Sequence, residues 1–294
     1  MHSHHKFISA ISPAFTVIKR ITKKNSLFSN SSLRVLAYHD IPENQKSYLS
    51  FQLSWIKKHW NIIPPSEFEL MITGEKPIIG DNVLITFDDG FLSNRVIAEE
   101  ILKPLSIEAI FFVVSDFVSI NDIRKAHHFV SKNIIPGSKF ENIPDNFVNM
   151  RWNDLEELLD YGHTIGSHTK SHLRLDSSVL ENDLNEQLII SADTISERLG
   201  INIDHFAYTF GDINSFTETA LKFAKKRYKF IYSGIRGDNI KNMSPYSIKR
   251  DAAAYQLSDN QYKLFSNKLL GSFLDGFVDF RYRKQRLKLD SWAR

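Results

Sequence analysis

Residues 83–114 read VLITFDDGFLSNRVIAEEILKPLSIEAIFFVV, and this stretch decides the fold class. Val83–Phe87 is β-branched and aromatic without polar alternation, as expected of a strand buried on both faces. Leu92–Leu102 carries apolar residues at helical spacing. Pro104 ends it, because proline has no amide hydrogen to continue the helix. Ala109–Val114 is a second buried strand. A strand, a helix and a strand within roughly thirty residues form a crossover unit, which makes the two strands parallel.

The alternation continues on both sides. Upstream, Leu33–Tyr38 reads as a short apolar strand and Ser50–Trp60 as an amphipathic helix carrying Phe51, Leu53, Trp55 and Ile56. Downstream, Trp152–Tyr161 reads as a helix stopped by Gly162, followed by a strand over His163–Ser167. Ser178-Val179-Leu180-Glu181 has capping-box spacing and predicts a helix running to Leu199, with Gly200 as its stop. His205–Tyr208 and Lys229–Ser233 are further strands, with a helix over 216–227 between them. This order predicts an α/β architecture, either a barrel or a doubly wound sheet. Residues 115–150 break the rhythm. They contain Pro136, Gly137 and Pro144 and hold no period, so they read as an irregular loop, either a lid or an ordinary insertion.

The chain has 294 residues and no cysteine, which excludes a disulfide scaffold, a thiolate metal site and a cysteine nucleophile. Hydrophobic residues make up 42% and charged residues 24%, which excludes a disordered chain. A net charge of +3 is far from that of a nucleic-acid binder, and no nucleic-acid partner is expected. The cations cluster at the ends: Lys19, Arg20, Lys23 and Lys24, then Arg281, Arg283, Lys284, Arg286 and Lys288. These are either two solvated ends or a peripheral contact with an anionic membrane surface. No apolar run reaches the roughly 20 residues needed to span a bilayer. Phe7–Ile18 reads as an interfacial helix, with no small-x-small cleavage site beside it. The expected division is an arm over 1–32, one domain over 33–270 and a basic tail over 271–294. The expected location is the cytoplasm or the periphery of the cell envelope.

Two motifs stand where an α/β barrel keeps its chemistry, just beyond the carboxyl ends of strands. The first is Thr86-Phe87-Asp88-Asp89-Gly90. Adjacent carboxylates after a buried strand are costly core residues. Gly90 permits a sharp turn, so that one acid can face a metal and the other face water. The same five residues also suit a solvated Asp-Gly turn. The second motif is Gly166-Ser167-His168-Thr169-Lys170-Ser171-His172. Its two imidazoles suit divalent zinc, nickel, cobalt or iron. Two histidines plus one carboxylate leave coordination positions open, the pattern of a catalytic metal.

The succession TFDDG, AIFFVV and GHTIGSHTKSH resembles the polysaccharide deacetylases of the NodB-homology group, carbohydrate esterase family four, over about residues 33–250. The resemblance implies a distorted (β/α) barrel of about seven strands and a metal-dependent hydrolase. Its substrate would be an N-acetylated carbohydrate and its cofactor a divalent ion, usually Zn²⁺. It implies Asp88 as general base and Asp89, His168 and His172 as metal ligands. A further family element, R-x-P-Y-G, corresponds here to Ala207-Tyr208-Thr209-Phe210-Gly211. The resemblance gives the Phe210 backbone N–H the oxyanion role. The arginine that orients the base in many members is replaced by Ala207, and the proline by Thr209. These departures favour a rival reading, a catalytically inactive glycan-binding protein that retains the barrel.

The F-A-Y-x-F-G loop is similar to that of the biofilm poly-N-acetylglucosamine deacetylases. In that branch the general-acid histidine lies early, in a tyrosine-histidine pair, which here is Tyr38-His39. His39 is therefore the candidate acid; outside the resemblance it reads as a histidine in a strand-end turn. Asp40 beside it is either a solvated turn residue or a partner that raises the histidine pKa. Arg250 resembles a late family arginine that either pairs with a catalytic carboxylate or sits on the surface. His163 is expected to pack with a backbone partner, His127 and His128 to face solvent, and Trp152 to join the core.

Overall fold

The structure, a computed structural model, describes residues 31–241, 243–256 and 262–294. The expected interfacial helix at Phe7–Ile18 and the first basic cluster lie outside these residues. Eight strands form one sheet: β1 (Ser32–Tyr38), β2 (Asn61–Ile62), β3 (Asp81–Phe87), β4 (Ala109–Val113), β5 (Thr164–Ser167), β6 (His205–Ala207), β7 (Phe230–Tyr232) and β8 (Asp251–Ala252). The path β7-β6-β5-β4-β3-β1-β8 is parallel throughout, and β2 pairs with the start of β3. Residues 245–252 carry the chain from the β7 edge back to β1. Ile231 N–H donates to Pro245 O, Ser233 N–H donates to Ile248 O, and β8 then pairs with β1. The result is the distorted (β/α) barrel expected from the sequence.

Strand parity builds the two cores. Leu33, Val35, Leu84, Ile110, Phe112, Ala207, Tyr232 and Ile248 face inward, and Phe68, Met71 and Ile72 of the helix Pro65–Ile72 pack among them. Their neighbours Leu36, Tyr38, Val83, Ile85, Phe87, Phe111 and Val113 point outward into the cluster shared with the surrounding helices. Side chains alternate at every residue. The inward series therefore continues from Val35 and Ala37 to His39, from Leu84 and Thr86 to Asp88, from Gly166 to His168, and from Ile248 to Arg250. Four of the site's side chains thus follow from the same period-two rule that fills the barrel.

Residues 115–150 are folded, contrary to the irregular loop expected. They form helices Ser115–Val118 and Ile123–Phe129, a π-turn Val130–Ile134 and a 3₁₀ turn Phe140–Asn142. Phe91, Val114, Phe117, Ala126, Val130, Ile143 and Phe147 give the segment its own small core. Each element is too short to show a period.

The capping box is also absent. Ser178 Oγ donates to Asp176 Oδ1 (2.6 Å), closing a local turn, and the helix begins at Glu181. It does end at Leu199, with Gly200 at φ 68°.

The basic stretch after residue 271 includes a helix, Arg283–Ala293, whose Leu289 and Ala293 are buried. Arg34 of β1 reaches Asp279 ahead of that helix (2.7 Å) and Asp251 of β8 (3.3 Å).

His163 is buried, and its Nδ1 accepts from Ala109 N–H (3.2 Å). Burial pushes its pKa down to about 4 from 6.5. The unfolded chain therefore binds the extra proton first. The stability this group contributes is present above pH 6.5 and is lost as pH falls through about 4, a change of about 3 kcal/mol. His163→Asn keeps an acceptor but cannot take up that proton. Urea unfolding between pH 7 and pH 4 should be less pH-dependent in this variant by that amount, and equal slopes would remove the assignment.

Candidate active site

β3 delivers Asp88 and Asp89 to the carboxyl end of the barrel, and Asp88 N–H is tied to Tyr38 O (2.9 Å). Asp88 continues the inward series and is buried. Arg250 grips both of its oxygens, Nη1 to Oδ1 at 2.7 Å and Nη2 to Oδ2 at 2.8 Å. The guanidinium is held in turn by Ser233 O (2.9 Å) and Thr86 Oγ1 (3.3 Å). Of the two readings of Arg250, the carboxylate partner is the one observed. Burial alone would push the Asp88 carboxyl up. The charge of Arg250, with its hydrogen bonds, leads what opposes this and holds the group below its ordinary value.

Asp89 leaves the strand at φ 75° and Gly90 follows at φ 93°. This turn brings the second carboxylate to the histidine motif. Oδ1 of Asp89 lies 3.5 Å from His168 Nε2 and 3.3 Å from His172 Nε2. Both rings are fixed from behind. His168 Nδ1 donates to Ala207 O (2.7 Å) and His172 Nδ1 donates to Asn133 O (2.8 Å). A carbonyl only accepts, so each neutral ring carries its hydrogen on Nδ1 and turns an Nε2 lone pair inward. Buried Asp89 Oδ1 has no hydrogen-bond partner among the described residues. Three lone-pair donors thus converge within 4.8 Å of one another. Such an arrangement is compensated by a cation, and the donor set fits a divalent metal with open positions.

Asp89, Thr169, His172 and Phe210 all sit at positive φ without being glycine (75°, 67°, 59° and 60°). Such backbone persists only where the surroundings over-determine it, and it clusters at functional sites.

Phe210 lies edge-on to His172 (4.8 Å) with the Arg174 guanidinium over its ring (4.2 Å). Among the described residues none accepts its backbone N–H. The next residue, Gly211, touches Gly234 so closely that a Cβ on either would lie under 3.0 Å from the other's backbone. That contact locks the loop carrying Phe210. Thr209 ties the same loop to Leu173 O through Oγ1 (2.6 Å).

His39, whose side chain is 38% exposed, stands at the rim with Nε2 3.9 Å from Asp88 Oδ2. Asp40 is buried, accepts from Ser93 Oγ (2.7 Å) and has its carboxyl pushed up by burial to about 6. It is therefore not a solvated turn residue. His39, Asp40, Asp88, Asp89, His168, His172, Phe210 and Arg250 all line one cleft of about 280 Å³. Ile134, Ile135 and Phe147 of the 115–150 segment also line it. They and the Asn133 carbonyl escaped sequence reading, because any residue type supplies a carbonyl and the segment showed no period. His127 and His128 pack beside Phe140 and do not line this cleft. Trp152 is half-buried against the main core.

A parallel barrel with a candidate Asp-His-His centre and a second carboxylate at the carboxyl rim of its strands belongs to the α/β-barrel class that carries its chemistry on that face. The polysaccharide deacetylase family model matches residues 76–228, just over half of the chain, and the chain belongs to that family. It is 26% identical over 204 residues to YxkH of Bacillus subtilis (strain 168), a protein named for the same family. The match covers 67% of this chain and 62% of YxkH, so the chain spans less than two thirds of that relative. The structure of IcaB from Ammonifex degensii is similar, with a TM-score of 0.61 and 21% identity over 84% of this chain and 98% of that one. The Streptococcus pyogenes deacetylase PplD, solved in complex with acetate, gives a TM-score of 0.60 and 17% identity over 83% and 98%. Both share the fold.

Proposed function

We propose that this chain is a metal-dependent hydrolase that removes N-acetyl groups from an amino-sugar-containing polysaccharide or glycoconjugate. The observation that carries the reading is the convergence of three buried lone pairs at Asp89 Oδ1 beside the Arg250-held carboxylate of Asp88. Asp89, His168 and His172 would hold the cation, with Zn²⁺ expected. When bound, the cation supplies Lewis-acid polarisation of an amide carbonyl and acidifies water.

The chain's own groups supply the rest. Asp88, kept ionised by Arg250, takes the proton of the attacking water. The Phe210 N–H donates to the developing oxyanion, a contribution of about 3–4 kcal/mol in comparable sites. Protonated His39 gives its proton to the departing nitrogen, which is otherwise a very poor leaving group. Acetate leaves and the amine stays on the sugar.

The rival reading, an inactive glycan binder, rested on Ala207 and Thr209. Arg250 gives Asp88 the guanidinium that Ala207 lacks, and Thr209 is bonded in place, so neither departure argues against turnover.

Acetate release from N-acetylglucosamine oligomers tests the reading. Chelation should abolish it, and re-addition of a divalent ion should restore it. His168→Ala with His172→Ala should leave the protein without stoichiometric metal by elemental analysis. Full metal in that double variant would refute the site, and a rate indifferent to chelation would refute the metal-dependent reading.

A further inference from the structure

We propose that Phe280 and the exposed face of the helix Arg283–Ala293 form a docking surface for an anionic lipid bilayer, at the end of the barrel opposite the cleft. Phe280 is 72% exposed and Leu287 54% exposed. Phe280 lies in the 3₁₀ turn Asp279–Tyr282, which leads into the helix that carries Leu287. Arg281, Arg283, Lys284, Lys288 and Arg294 are exposed around them. Among the described residues none of these five is in an ion pair, and the stretch 279–294 itself exposes no acid. Asp279 is taken by Arg34 (2.7 Å), and buried Asp290 by Lys249 (2.6 Å). A solvated surface helix normally mixes the two signs. Exposed apolar side chains set among unopposed cations match a headgroup layer, in which the apolar groups insert and the cations meet lipid phosphates.

The position of this face gives the contact a direction. Arg34, which bonds Asp279, lies in the first half of β1, and Arg286 Nη1 donates to Asp279 O (2.7 Å) and Arg236 O (2.9 Å). The stretch following Arg236 returns to the same end, where Asn239 N–H donates to Leu33 O (2.9 Å). His39 lies beyond the other end of β1, roughly 20 Å away at strand rise. The helix Arg283–Ala293 therefore lies at the amino end of β1. Docking there turns the cleft away from the bilayer, toward polymer outside it.

Sedimentation of the full chain with phosphatidylcholine vesicles, with and without phosphatidylglycerol, tests the proposal. Binding should be at least about tenfold stronger with phosphatidylglycerol and should weaken as salt rises. Each of Arg281→Gln, Lys284→Gln and Lys288→Gln should weaken it about fivefold. Phe280→Ser with Leu287→Ser should weaken it at least about tenfold. All should keep acetate release on soluble oligomers, which also reports folding. Should the paired serine variant misfold, Leu287→Ser alone serves and should still weaken binding. Equal binding to both vesicles overturns the proposal. Retained binding in the glutamine variants does so too. Loss through the charges but not through Phe280 and Leu287 would mean a soluble polyanion, and overturns it. Binding that appears only after deletion of residues 1–30 would make that segment the occupant, and overturns it as well.

Discussion

Asp88→Asn should lower acetate release at least about a thousandfold while the metal content stays whole, since positioned general bases contribute about 10²–10⁴. Asparagine is isosteric and leaves the Asp89, His168 and His172 donors in place, so metal binding and turnover separate in this variant. It cannot accept the proton, however, and it leaves the Arg250 guanidinium buried opposite a neutral group. Loss of one partner from a buried pair costs about 3–5 kcal/mol. Urea unfolding should show that loss alongside the lost rate. Activity near that of the parent chain would end the assignment of Asp88 as base.

Arg250→Met should damage the same site from the other side. Asp88 is 2% exposed, and burial raises its carboxyl while the guanidinium counters that rise. Without Arg250 the carboxyl ionises only at higher pH. The acid limb of kcat/KM should therefore move upward, and the rate at neutral pH should fall by roughly 10²-fold or more as the ionised base is depleted. Metal content should be unaffected, because no bond joins Arg250 to Asp89, His168 or His172. Guanidinium added to the solution should recover part of the rate. A variant that is slower with an unmoved acid limb would show Arg250 to be a packing residue only.

The barrel was legible because its strands are written in runs such as VLITF and AIFFVV, where burial on both faces leaves an unbroken apolar signal. A candidate metal site was legible in the paired acids before Gly90 and in His168 and His172 four residues apart, while the choice of Asp89 over Asp88 came from the resemblance. The turn types that unite them, at positive φ for Asp89 and His172, have no signature in those residues. His39 was readable only through the resemblance, since its partner Asp88 is distant in sequence and one histidine at a strand end says little. Arg250 admits two readings from sequence for the same reason: its partner lies 162 residues away, and no local pattern encodes that separation. Ser178 shows the opposite failure, a local pattern that a stronger local competitor, Asp176, took over. Residues 115–150 show no period because elements of three to seven residues are shorter than the window in which a period can be seen.

Arg250 lies on the last stretch of chain to enter the sheet, and His39 follows the first strand. The family match at 76–228 lies between them. A fragment cut to those limits would keep Asp88, Asp89, His168, His172 and Phe210, yet lose the guanidinium that grips Asp88 and the imidazole 3.9 Å from it. The same holds during synthesis. A nascent chain already displaying both sequence motifs lacks the pair between Asp88 and Arg250 until residue 250 has left the ribosome.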